Sequence, residues 1–180
     1  GTGSIFGFLV AREAYSTAVL APLFIVMSLL YGTAVFYLLL RVISRLQSID
    51  IPDEITKNIR RLMIIFLLAH IYFLIFYHIT NLSISKQIAV ESFILLNGGG
   101  YTTMFWLGQV GLGLVIPLLY EMTNDEGRSF GLTITSLMVL VGGFFAVAVI
   151  IIGGQAFPLN IFPDHIILES SFYDLSLIHI

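Results

Sequence analysis

Long apolar runs separated by short polar stretches make up most of the chain, and four of these runs are near membrane-crossing length: Ala14 to Leu40, Leu62 to Thr80, Tyr101 to Tyr120 and Phe130 to Phe157. About 30 Å of hydrocarbon requires roughly 20 helical residues at 1.5 Å each. A membrane strand would alternate in polarity over about ten residues. RLMIIFLLA and LMVLVGGFFAVAVIII are instead apolar on every face. The fourth run has no charged residue, and the third has Gln109 as its strongly polar interruption. Pro117 is tolerable near the end of the third run, because neighbouring helices can satisfy the carbonyl it frees. The pattern predicts an all-α, polytopic membrane protein: a four-transmembrane-helix bundle over residues 1–157 and a tail over 158–180.

Composition points the same way. Hydrophobic residues make up 58% of the chain and charged residues 11%, and the mean hydropathy of +0.99 lies outside the soluble range. With a net charge of -3 and eight scattered Lys and Arg, no basic surface for nucleic acid is expected. Cysteine is absent. Disulfides, thiolate zinc sites and cysteine-ligated iron–sulfur clusters are therefore excluded within the chain, and any such centre must sit on a partner. No cleavable signal peptide is evident, and with Gly1 in first position the sequence reads as a fragment or processed form.

Positive charge orients the bundle. Arg41, Arg45, Lys57, Arg60 and Arg61 lie between the first two runs and Arg128 between the last two, whereas the other side carries only Arg12 and Lys86. The positive-inside rule then places the six-charge side in the cytoplasm and the tail at the periplasm or exterior. Asn81-Leu-Ser83 formally matches a glycosylation acceptor on that outer side, but so short a pattern usually arises by chance.

Polar residues inside apolar spans are costly, which makes them functional candidates. His70 lies mid-span, with Tyr77 and His78 seven and eight positions on. Those offsets are about 20° short of two helical turns and about 80° past them, so Tyr77 shares the His70 face more closely. An imidazole with an ordinary pKa near about 6.5 can relay protons; it can equally be a hydrogen-bonded packing group. Arg12 and Glu13 read as interfacial anchors, or as a proton-exchange pair with His78 or Glu91. Glu91 reads as a solvated connection carboxylate, or as a proton acceptor. Gln109 suits an interhelical hydrogen bond, and Thr133, Thr135 and Ser136 suit bonds to their own helix or a neighbour. NGGGY and GQVGLG lack the strand-to-helix setting and Gly-Lys-Ser/Thr ending of a phosphate loop, so close helix packing is the expected role.

The ordered set FGFLVAREAYSTAVLAPLFIVMSLLYGTAVF, Phe105-Trp106 followed by GLGLVIPLLYEM, and IIGGQAFPLNIFP resembles the NrfD/PsrC family of polysulfide reductase membrane subunits. Relatives of that family occur in Dsr-type sulfur metabolism and in hydrogenase and quinone-reductase complexes. The resemblance implies a haem-free subunit of a bacterial or archaeal cytoplasmic membrane. It would exchange electrons between a membrane quinone (menaquinone or ubiquinone) and an extrinsic ferredoxin-like iron–sulfur subunit, with proton movement as a possible accompaniment. Family members have about eight to ten spans built from two similar four-helix bundles. This chain is similar to the second bundle. Much of the family's quinone pocket belongs to the first, so its pocket residues do not transfer.

The stretch GGQAFPLNIFP has two readings. Gly153 and Gly154 would let the last helix pack closely, and Pro158 would end it. The segment is then either a membrane stop with interfacial aromatics, or a docking surface for the partner through Gln155, Asn160, Asp164 and His165. No metal site is expected. Two other function classes stay open: a b-type cytochrome, for which His70 and His78 on one span do not face each other, and a transporter half-bundle with interrupted helices.

Overall fold

The computed structural model describes residues 19–85, 87–123 and 129–154, and the backbone of 160–162 and 165–166. Its helices are α1 (Leu20–Gln47), α2 (Asp53–Leu82), the short α3 (Ile88–Asn97), α4 (Gly100–Thr123) and α5 (Phe130–Gly153). All but α3 are long and apolar enough to cross a membrane, so the four-span, all-α architecture holds. A small antiparallel hairpin follows in the tail, β1 (Asn160–Phe162) with β2 (His165–Ile166), pairing Asn160 with Ile166 and Phe162 with His165.

The helices outrun the apolar stretches that predict them. Arg41 and Arg45 lie inside α1, and Lys57, Arg60 and Arg61 lie inside α2, because Arg and Lys are good helix formers and leaving hydrocarbon does not break the backbone ladder. The reversal occupies only residues 48–52. Ser48 adopts the left-handed conformation at φ 54°, and the N–H of Ile49 bonds back to the Ser44 carbonyl at 3.1 Å, closing the end of α1. Pro52 then precedes α2, whose first turn carries Asp53 and Glu54 where acids complement the helix dipole.

Buried positions on α1 recur in steps of three and four: Leu20, Leu23, Met27, Leu30, Ala34 and Tyr37. Those of α2 do the same, from Thr56 and Ile59 through Met63, Leu67, His70, Leu74 and Tyr77 to Asn81. Two such seams meet as an antiparallel coiled-coil-like pair. His70 and Tyr77 therefore share one buried face. Only 28–39% of each membrane-length stretch is buried inside the protein, and the rest is apolar surface such as Ile25, Phe36, Ile65 and Phe144, suited to lipid.

The most extensive pairing is α4 with α5. Residues Met104–Val115 of α4 form a π-helical stretch, whose wider turn brings Gly108 and Gly113 onto α5. A Cβ on Gly113 would lie 2.7 Å from the Cα of Gly142, and one on Gly108 would lie 2.5 Å from the Phe145 ring. Gly108 and Gly113 of GQVGLG thus serve helix packing, whereas a Cβ on Gly111 would meet only the Trp106 carbonyl of its own helix. Gly153 makes no such approach: a Cβ there would meet Tyr101 at 3.6 Å, an ordinary contact.

The connection from α2 to α4 differs from a plain polar loop. Its apolar residues IAVESFILL fold into α3, and Val90, Glu91 and Ile94 are buried against the bundle. Gly99, at φ 55° and ψ -108°, makes the turn into α4, a conformation open to glycine alone. The Trp106 indole N–H bonds the Leu95 carbonyl at 3.0 Å, holding α3 to α4.

Candidate functional site

Two polar clusters lie at opposite ends of the bundle. At the end formed by the last turns of α2, the Glu91 carboxylate is 1% exposed. His78 Nδ1 lies 2.5 Å from its Oε2, and Asn81 Nδ2 donates to its Oε1 at 2.7 Å. This corrects the expectation of a solvated connection carboxylate: α3 folds the acid inward, where it is held by two side chains of α2. A buried carboxylate persists only when so partnered. Asn81, itself 3% exposed with its amide committed to Glu91, is unavailable as a glycan acceptor.

The His78 ring makes T-shaped contacts with Phe105, at a centroid distance of 5.0 Å, and with Tyr77, at 5.1 Å. His78 Nε2 and Gln109 Nε2 are buried and find no hydrogen-bond partner among the described residues. Both residues line a cavity of ≈ 20 Å³, together with Tyr77, Phe105, Ile94 and Gly154. Such a space holds about one water or one carbonyl oxygen. The unpartnered Gln109 amide N–H suits an oxygen acceptor there, but the volume does not admit an aromatic ring.

His70 sits deeper, fully buried, with its ring 6.2 Å from Tyr31 in an edge arrangement. Neither of its nitrogens has a hydrogen-bond partner among the described residues. It shares a seam with Tyr77 and His78 follows on the same helix, so no imidazole faces another across the bundle among the described residues. No group of three His, Cys, Asp or Glu residues suited to a metal is found among them either. Arg12, Glu13, Gln155 and Asp164 lie outside the described residues, and Asn160 and His165 are described in backbone only, as hairpin partners. The proposed contacts of Glu13 with His78 or Glu91 therefore rest on sequence.

The second cluster was not legible as a site. At the end carrying the α1–α2 reversal, Glu121 of α4 is 3% exposed. Its Oε2 lies 2.9 Å from Arg60 Nε, its Oε1 accepts from the Thr135 hydroxyl at 2.5 Å, and its backbone carbonyl accepts from Arg60 Nη2. One residue thus ties α2, α4 and α5 together. Tyr37 of α1 joins through its bond to Thr133 and lies within the field of Arg41 and Glu121. Ser136 bonds back to the Leu132 carbonyl at 2.7 Å, the local role expected of such hydroxyls. A signal for Glu121 existed in the sequence: it ends one apolar run as Arg60 and Arg61 begin another, at the same predicted depth and on the same side.

Residues 1–159 match the family described as "Polysulphide reductase, NrfD". The chain is 24% identical over 142 residues to a selenate reductase subunit from Mesobacillus selenatarsenatis, an alignment covering 79% of this chain and 33% of that protein. The chain thus spans about a third of the length of that relative. No solved structure matches.

Proposed function

The chain belongs to the NrfD polysulphide reductase family, and on that premise we propose that it is a membrane subunit of an oxidoreductase complex that exchanges electrons between a membrane quinone and an extrinsic iron–sulfur subunit. A quinone supplies two-electron, two-proton chemistry in the membrane plane. The chain's own contribution in this reading is proton handling at one face. The observation that carries it is the buried His78–Glu91–Asn81 cluster in a chain that the family covers over residues 1–159.

Glu91 Oε2 and His78 Nδ1 are close enough to share one proton, and Asn81 keeps the carboxylate oriented toward the ring. With Nδ1 so engaged, His78 Nε2 is the atom that would take or give a proton at the cavity. Because that cavity fits one oxygen atom rather than a ring, the quinone ring itself would be held mainly by surfaces other than these residues. The iron–sulfur centre is assigned to a partner because cysteine is absent from the chain. Gln155, Asn160, Asp164 and His165 remain the candidates for docking that partner.

Glu91→Gln preserves shape and the bond from Asn81 but removes the shared proton. In the purified complex this variant should lose quinone-linked turnover by about tenfold or more, with a cysteine-rich iron–sulfur subunit still co-purifying. Wild-type turnover would show that the pair only packs α3 against α2.

Orientation follows from charge in the same reading: the reversal at 48–52 faces the cytoplasm and the His78 cluster faces outward. Reporter fusions after Ser48 and after Asn124 should then behave as cytoplasmic, and the reverse pattern would put the proton-handling cluster on the wrong face for an exterior partner.

A further inference from the structure

We propose that the cavity of ≈ 440 Å³ at the α1–α2 reversal end, lined by Lys57, Arg60, Arg61, Ile64, Glu121 and Met122, binds the phosphate headgroup of an anionic phospholipid. Lys57, Arg60, Arg61 and Ile64 fall at successive steps of three, one and three along α2 and so share one side of the helix. Three cations therefore face the cavity from a single helix. The acid that faces them, Glu121, is already engaged, with one oxygen on Arg60 and the other on Thr135. Arg60 keeps guanidinium donors beyond those it gives to Glu121. Lys57 and Arg61 are exposed and enter no ion pair among the described residues, so the cavity lining carries three cations against one acid.

The position favours a lipid over a free anion. The apolar run of α2 begins at Leu62, immediately after these cations, and Leu62, Ile65 and Met122 are 46%, 54% and 60% exposed. A ligand with its phosphate at Lys57 and Arg61 would find apolar surface directly next to it, along the direction an acyl chain takes into the membrane. Basic pockets at helix ends beside the hydrocarbon are suited to anionic headgroups, each nearby cation adding favourable electrostatic attraction. The shared chemistry is a phosphate anion, and the adjoining apolar surface is what selects the lipid.

The test uses the full chain purified in detergent, with its thermal midpoint followed as phosphatidylglycerol, phosphatidylcholine or inorganic phosphate is added. Phosphatidylglycerol should raise the midpoint by about 3 °C or more beyond phosphatidylcholine. The double variant Lys57→Gln/Arg61→Gln, which leaves Arg60 and Glu121 in place, should lose most of that increment while keeping its midpoint in phosphatidylcholine. Equal effects of the two lipids, or an undiminished increment in the variant, would overturn the proposal. So would inorganic phosphate matching phosphatidylglycerol, which would make the cavity a free-phosphate site. A variant destabilised equally in every lipid would also overturn it, by assigning Lys57 and Arg61 to internal pairs with acids such as Asp125 or Glu126.

Discussion

Replacing Gly142 with Ala should remove most of the folded protein, although the change adds a single methyl group to an apolar helix. A Cβ at Gly142 would stand 2.7 Å from the backbone nitrogen of Gly113, with the Gly108 carbonyl oxygen at 3.2 Å. These obstacles are backbone atoms, so no rotamer change relieves the clash; α4 and α5 must move apart along their most extensive contact. Overpacking a tight interface costs about 1–3 kcal/mol and sometimes more, and a backbone-to-backbone clash belongs at the upper end. Separation of the helices also forfeits dispersion contacts that a membrane, itself apolar, does not replace by hydrophobic burial. Gly32→Ala on α1 is the control, because a Cβ there meets nothing within 4 Å. That variant should be neutral, or gain up to about 1 kcal/mol from helix propensity. Detergent-stable yield and thermal midpoint compare the two, and equal behaviour would mean that α4 and α5 do not cross at Gly113 and Gly142.

The features read correctly from the sequence are those that depend on residues near one another in the chain. Apolar length marks the four spans, and angular spacing places His70 and Tyr77 on one face of α2. What escaped depends on distant partners. Glu91 looks solvated in sequence because the polar residues around it resemble a loop; only the fold of α3 brings it under His78 and Asn81. Glu121 looks like the first residue of a loop, yet its partner Arg60 lies sixty-one positions away. The ends of the spans were misplaced for a related reason. Charge marks the limit of the hydrocarbon, whereas a helix ends where its ladder is broken, here at Ser48 and Pro52. Glycine-rich stretches do not announce which role they take: Gly108 and Gly113 of GQVGLG meet Phe145 and Gly142, NGGGY instead supplies the turn at Gly99 with nothing against Gly100, and Gly153 meets only an ordinary contact.

Arg60→Ala should be more damaging than Glu121→Ala, and the two together should be less damaging than their sum. The pair spans unequal environments: the Arg60 side chain is 12% exposed and that of Glu121 is 3% exposed. Without Arg60, a carboxylate remains buried with Thr135 as its hydrogen-bond donor, and it must either stay charged in a poorly solvating site or take up a proton. Removing one member of a buried ion pair typically costs about 3–5 kcal/mol for this reason. Without Glu121, Arg60 stands at the ≈ 440 Å³ cavity, where it can turn toward water or an anion, and the loss should fall nearer about 1–2 kcal/mol. The double variant Arg60→Met/Glu121→Leu removes both charges while keeping side-chain volume, and buried pairs so replaced are often neutral or stabilised. A double-mutant cycle on midpoints in detergent measures this coupling. Single variants that lose stability equally and add without interaction would place both groups in water, and the tie between α2, α4 and α5 would then rest on packing alone.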